Sequence, residues 1–211
     1  MNARIFQKRI VPVAVIERPD DALRVAEALT AGGLDIIEIT LRTPEAEACI
    51  RRIRTELPDM LVGAGTILEV NQVQCCVEAG AQFGVSPGLN DAVVEKARSV
   101  GLPFIPGIMT PSEIERALGL GCQLLKFFPA EAAGGIKMLQ SLAGPYRHTG
   151  AKFIPLGGVN AGNAGAYAAI PVVAAVGGSW LVERKLIEKK DWAQITKLAR
   201  EALALVAVPE K

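Results

Sequence analysis

The sequence predicts a single α/β domain of the (β/α)8 TIM-barrel class over residues 1–211. Three observations lead there. Eight short apolar runs alternate strictly with eight helical segments. The runs are apolar at successive positions, the pattern of parallel strands covered by helices rather than of half-exposed antiparallel ones. The length of 211 residues lies at the short end of the barrel range, about 200 residues. A doubly wound open sheet is the alternative. It would use fewer strands and carry a glycine-rich phosphate fingerprint after the first, and VAVIERPDD at 13–21 has none.

The first run is IVPVAVI at 10–16, followed by a helix over 20–31 with apolar residues at helical spacing. IIEITL at 36–41 comes next, with a helix from Pro44, a residue suited to a first turn because its missing N–H costs nothing there. LVGAGTI at 61–67 leads to a helix ending near Ala79. FGVSPG at 83–88 precedes a helix over 91–100, and FIPGIM at 104–109 precedes one over 111–120. LLKFFP at 124–129 is followed by a helix at 135–142, and FIPLGGV at 153–159 by a short helix after Asn160. VVAAVGG at 172–178 is the eighth run, before helical sequence that ends with 191–206.

Composition narrows the function. Half of the residues are hydrophobic, enough for a sizeable core, and the formal net charge is only +1. That balance and the 5% aromatic content argue against nucleic acid or a membrane surface as partner. No apolar run reaches the ~18 residues of a membrane span, and MNARIFQKRI lacks the apolar core of a signal peptide. The four cysteines (Cys49, Cys75, Cys76, Cys122) form no Cys-x-x-Cys spacing, and a single histidine cannot complete a typical zinc set. Reduced thiols in a cytoplasmic protein without a metal are expected.

In such barrels chemistry sits at the C-terminal ends of the strands. Period two places Glu38 and Thr40 on one face of the second strand, so Glu38 points inward and Arg42 sits at the rim. Thr66 ends the third strand behind the small residues of GAGT. Ser86-Pro87-Gly88 and Pro106-Gly107 follow the fourth and fifth, where ordinary turn punctuation explains each taken alone. Lys126, one of ten lysines, is alone enclosed by apolar neighbours. It is either a snorkelling or ion-paired lysine, with Glu38 as partner, or a Schiff-base lysine whose desolvation favours a neutral, nucleophilic amine. Leu124, Lys126 and Phe128 share the inward face. Gly157-Gly158 and Gly177-Gly178-Ser179 lie where this fold binds phosphate, after the seventh and eighth strands. These residues together suggest a small phosphorylated carbonyl substrate. Its carbonyl reaches Lys126, Glu38 serves as acid–base, and Arg42 grips a carboxylate. His148 falls away from this end and is read as a surface residue.

EITLRT (38–43), GAGT (63–66), VSPGLN (85–90), PGIMTPSE (106–113), KFFPAE (126–131), GGV (157–159) and GGSWLV (177–182) occur in order and at matching spacing. With them the chain resembles the KDPG/4-hydroxy-2-oxoglutarate aldolase family over nearly its whole length, about residues 4–206. The resemblance implies a class I aldolase without cofactor or metal. It would cleave 2-keto-3-deoxy-6-phosphogluconate to pyruvate and glyceraldehyde 3-phosphate in the Entner–Doudoroff pathway, and work as a cytoplasmic homotrimer. It implies a Schiff base on Lys126 and proton relay by Glu38 through a water. It further implies carboxylate binding by Arg42 and Thr66, a pocket shaped by Pro87 and Phe128, and phosphate binding by Gly157, Gly158 and Ser179.

The chain departs from the family pattern at two places. Leu156 stands where gluconate-specific members carry a threonine, which leaves open the galactonate epimer as substrate, or a relaxed enzyme that also takes 4-hydroxy-2-oxoglutarate. Val15 stands where some relatives carry a phosphate-binding arginine, with Arg18 nearby. A phosphate-binding barrel isomerase or epimerase is the alternative of a different class, and it would not need Lys126 to become covalent.

Overall fold

A computed structural model describes residues 2–207. Parallel strands run through it in two sheets. Six strands pair in the order β5-β4-β3-β2-β1-β9 and three in the order β6-β7-β8. They are β1 (Ile10–Ala14), β2 (Ile36–Thr40), β3 (Leu61–Gly65), β4 (Phe83–Val85), β5 (Phe104–Ile105), β6 (Gly107–Ile108), β7 (Leu124–Phe127), β8 (Lys152–Pro155) and β9 (Val176–Gly178). Every residue of β1, β2 and β3 is buried, so apart from Glu38 and Thr40 of β2 these runs are apolar throughout. The sheets curl so that Glu38, on one, meets Lys126, on the other.

The fifth apolar run is divided at Pro106. Phe104–Ile105 pairs with β4 while Gly107–Ile108 pairs with β7. Proline has no N–H for a ladder, so the run hands over from one sheet to the other there, and the Pro106 carbonyl accepts the Lys126 N–H at 2.9 Å. The eighth run is also shorter than expected. Only Val176–Gly178 is strand, paired with β1. Upstream, Phe153 donates to Val172 O (2.8 Å) and Ala174 to Phe153 O (2.9 Å), an isolated bridge beside β8.

Helices follow the strands: α2 (Pro19–Ala31), α3 (Ala46–Glu56), α4 (Val70–Ala79), α5 (Asp91–Ser99), α6 (Pro111–Gly119), α7 (Gly135–Ala143), α8 (Ala164–Ala168), α9 (Arg184–Glu188) and α10 (Trp192–Val206). A further helix, α1 (Asn2–Lys8), precedes β1 and was not expected. Pro44 is not in the first turn of α3. It lies in a turn closed by Ala46 N–H to Thr43 O at 3.3 Å, two residues before the helix. Two of the helices that follow the strands, α5 and α6, are capped by side chains. Thr110 and Glu113 form a reciprocal capping box on α6, with Pro111 in its first turn, and Asn90 caps α5. His148 lies exposed in a 3-10 segment, Gly144–Thr149, ahead of β8. Among the described residues, no helix is long and apolar enough to cross a membrane. Lys211 lies outside the described residues.

Candidate active site

Lys126 and Glu38 are two of the four polar or charged residues counted as buried among the described residues, 5% and 3% exposed. Their side chains approach at 3.9 Å, Nζ to Glu38 Oε1. That is Coulombic contact but too long for a hydrogen bond, and Oε1 has no hydrogen-bond partner among the described residues. Burial raises the Glu38 pKa above its ordinary 4.5, against the opposing attraction of Lys126. A buried amine and a carboxyl that resists ionisation thus face each other. Both side chains line a cavity of about 10 Å3, walled also by Phe83, Val85, Ile105 and Ile154. That is room for the centre of one water.

The strands account for this meeting. Lys126 registers with Gly107 on one side and Ile154 on the other, and Glu38 registers with Val13 and Gly63. Each points inward from a strand whose neighbours are small or apolar. Gly65 makes room for the carboxylate: a Cβ there would overlap Glu38 Oε1 and lie 2.7 Å from its Cδ. The next residue, Thr66, has φ +60°, a conformation unfavourable for a β-branched side chain. It is trapped between two sheet bonds, Leu41 N–H to Gly65 O at 2.8 Å and Ile67 N–H to Val85 O at 3.1 Å. The half-buried Thr66 hydroxyl makes no hydrogen bond within the described residues, and such over-determined strain clusters at functional positions.

The remaining expected residues gather at the same strand ends. Lys126 Nζ sits 5.1 Å from the Phe128 ring centroid, within cation–π range. That ring also packs on Gly157, where a Cβ would come within 3.2 Å of it. The Pro87 carbonyl fills the space in front of Gly107, the register partner of Lys126. Leu156 lines the cavity and lies against Gly177, two residues before the exposed Ser179. Arg42 is exposed at the rim and ion-paired to nothing among the described residues. Its turn is held by Thr43, whose hydroxyl donates to Ile16 O at 2.7 Å. Lys126, Glu38, Phe128 and Gly157 are therefore brought into direct sequence of contact. Thr66, Pro87 and Ser179 join through a neighbouring residue, and Arg42 stands apart on the rim.

Sequence reasoning had passed over two features. Gly65 looks in the sequence like one of several small residues, and its place immediately before Thr66 in GAGT is the signal for its role. Glu131, within KFFPAE, accepts a hydrogen bond from the phenol of Tyr167, 36 residues away, and no local pattern connects those two.

Comparison with known proteins places this geometry. A family model described as KDPG and KHG aldolase matches residues 1–198. The 2-dehydro-3-deoxy-phosphogluconate aldolase of Treponema pallidum is 46% identical over 200 residues, covering 95% of this chain and 94% of that one. Among solved structures, the KDPG aldolase of Legionella pneumophila, with pyruvate captured at low pH as a covalent carbinolamine, superposes with a TM-score of 0.91. It is 41% identical, with 95% of this chain and 97% of that one covered. The 2-keto-3-deoxy-6-phosphogluconate aldolase of Zymomonas mobilis, solved with 3-phosphoglycerate, gives 0.90 at 40% identity, covering 97% and 95%.

Proposed function

The chain belongs to the KDPG and KHG aldolase family, and from that premise we propose how it carries out its reaction. It is a carbon–carbon lyase, a class I aldolase that cleaves 2-dehydro-3-deoxy-6-phosphogluconate to pyruvate and D-glyceraldehyde 3-phosphate. The observation that carries the mechanism is the buried approach of Lys126 to Glu38 at 3.9 Å.

In this reading the Lys126 amine adds to the C2 carbonyl to give a carbinolamine. Glu38 donates a proton, through a water in the cavity that both side chains line, and the hydroxyl leaves as water. The resulting iminium is an electron sink. Glu38, now a carboxylate, takes the proton of the C4 hydroxyl by the same relay. The C3–C4 bond breaks, its electron pair passes into the enamine, and glyceraldehyde 3-phosphate departs. Protonation at C3 and hydrolysis of the imine release pyruvate and restore the amine. A carboxyl of raised pKa suits both directions of transfer near neutral pH.

Arg42 and Thr66 bind the carboxylate, Pro87 and Phe128 shape the pocket about the imine, and Gly157, Gly158 and Ser179 receive the phosphate. The exposed, unpaired Arg42 is free to take a carboxylate bidentately, and the positive φ of Gly157 and Gly158, 97° and 82°, leaves main-chain N–H groups open to an anion. We also read the two sheets as one closed (β/α)8 barrel domain over residues 1–211. The Phe153 bridge to Val172 and Ala174 supports closure on one side, and the continuity of β5 into β6 supports it on the other. A homotrimer and a cytoplasmic location rest on the family resemblance and on four unpaired cysteines.

The test is to incubate the protein with pyruvate, reduce with borohydride and map the adduct by mass spectrometry. A single adduct on Lys126 is expected, and its absence, or an adduct on another lysine, overturns the mechanism. One observation favours a second reading of specificity. Leu156, on the cavity wall, offers no hydroxyl to read the substrate's configuration, so the galactonate epimer competes as substrate. Comparing kcat/KM for the two epimers decides between them.

A further inference from the structure

Tyr167, on α8, is fully buried, yet it is a tyrosine and not a phenylalanine. Its phenol donates to Glu131 Oε1. A buried hydroxyl needs such a partner, and a carboxylate makes the bond charge-assisted. Burial first, and then Glu131, push the phenol pKa up, so that it stays a donor. Nothing in the reaction as described uses either residue.

The bond closes a circuit around the Gly157-Gly158 turn. From β7 the chain runs through Pro129 to Glu131 while staying zipped to the segment after β8. Leu156 N–H donates to Phe127 O at 3.0 Å, Ala130 N–H to Leu156 O at 2.8 Å and Glu131 N–H to Gly157 O at 2.9 Å. The Glu131 side chain then lies against Gly158, where a Cβ would come within 2.6 Å of Glu131 Cβ. On the far side of the turn, Gly158 O accepts from Asn160 and Asn163 side chains at 3.0 and 3.2 Å. Asn163 immediately precedes α8, the helix that carries Tyr167. The turn is therefore gripped from the Lys126 strand by Glu131 and from α8 by the two asparagines, and the Tyr167–Glu131 bond ties the two grips together.

We propose that Glu131 and Tyr167 are a positioning pair that fixes the anion-binding Gly157-Gly158 turn relative to Lys126, so that phosphate and carbonyl are held at one set separation. The proposal rests on the phosphate-binding role assigned to that turn. Neither residue touches substrate. Their effect falls on the phosphate end, because Lys126 is held independently by its strand bonds to β6 and β8.

The test uses Tyr167→Phe, which removes the bond but keeps the buried ring. Glu131→Ala is the second variant at an exposed position, and Glu131→Gln keeps an acceptor oxygen. Two readouts are compared: KM and kcat for the phosphorylated substrate, and exchange of pyruvate methyl protons with solvent, which needs Lys126 and Glu38 but no phosphate. Tyr167→Phe and Glu131→Ala are each expected to raise KM about tenfold, the worth of one charge-assisted hydrogen bond. Pyruvate exchange should stay within about twofold, and Glu131→Gln should recover most of the loss. Equal loss of exchange and of cleavage would mean a merely structural role and overturns the proposal, as does an unchanged KM in both variants. Inorganic phosphate as competitor separates the two layers of the argument. If it fails to compete even in the wild-type enzyme, the phosphate assignment falls and the proposal with it. If it competes equally in wild type and Tyr167→Phe and the substrate KM is also unchanged, the assignment stands and the positioning pair alone is refuted.

Discussion

Gly65 leaves empty the space that the Glu38 carboxylate occupies. Thr40 and Gly65 are register partners on β2 and β3, and any side chain at 65 would overlap Glu38 Oε1. The position of the proposed acid–base is thus set by the absence of one carbon on the neighbouring strand. Gly65→Ala is expected to push the carboxyl off its approach to Lys126 and lower kcat by about a hundredfold, the usual consequence of an ångström-scale misplacement. Steady-state kinetics with parallel borohydride trapping checks this. An alanine variant with wild-type kcat would show that Glu38 works from another position.

The pH profile should carry the mark of burial on Glu38. Its pKa is raised above 4.5 by desolvation, so the carboxylate that on the proposed mechanism accepts the C4 hydroxyl proton is lost at higher pH than for an exposed glutamate. The acid limb of kcat is expected above pH 4.5, and Glu38→Gln should abolish it along with most turnover while still allowing some imine to form. The same shift acts on stability. A raised folded-state pKa stabilises the protein fully below pH 4.5, and that contribution fades as pH rises through the folded value. Melting curves of the wild type and Glu38→Gln across that window should diverge accordingly. An acid limb unchanged in Glu38→Gln would assign it to another group.

Thr66 tests whether strain is held for function. Replacing it with glycine removes a φ of +60° that costs a β-branched residue about 1–3 kcal/mol, part of which is offset by the greater freedom of glycine in the unfolded chain. Thr66→Gly should therefore melt no lower than wild type, with a gain of up to about 1 kcal/mol, while KM for pyruvate in the exchange reaction rises. A clear loss of stability would show that the threonine is there for packing.

On the proposed reading, position 156 is where a side-chain hydroxyl would read the substrate's configuration and Leu156 does not. Leu156→Thr is expected to shift the ratio of kcat/KM toward the gluconate epimer by about tenfold or more, since a pocket hydroxyl discriminates configuration and a methyl does not. Assays of both phosphorylated epimers with the two proteins measure the shift. An unchanged ratio would move the source of selectivity elsewhere in the mouth.

Much of this site could be read from the chain because strands impose period two. Lys126 stands out against its apolar neighbours, and alternation alone turns it and Glu38 inward. What escaped depends on relations between strands or across long separations. The contact of Gly65 with Glu38 needs the β2–β3 register, and Tyr167 meets Glu131 only after the chain has passed through β8 and into α8. Boundaries failed for a different reason. Val173, Ala174 and Ala175 are all buried, as strand residues are, but apolar character reports burial and not pairing, so the eighth apolar run is longer than β9. Proline at 106 was legible as a turn signal, yet its effect, dividing one run between two sheets, follows from which partner each half finds. The helix Asn2–Lys8 has only seven residues, with Ile5 fully buried and Phe6 exposed, too short for a periodic pattern to show.

The bond from the Lys126 amide to Pro106 O bears on how the enzyme divides rigidity from reactivity. On the proposed mechanism Lys126 repeatedly forms and breaks a covalent bond, and it is paired through its strand on both sides, at the junction where β5 passes into β6. Its amide hydrogen should accordingly be among the slowest to exchange with deuterated solvent, although its amine is the group that turns over. Chemistry at the tip of that side chain then asks nothing of the main chain beneath it, and successive catalytic cycles begin from the same backbone.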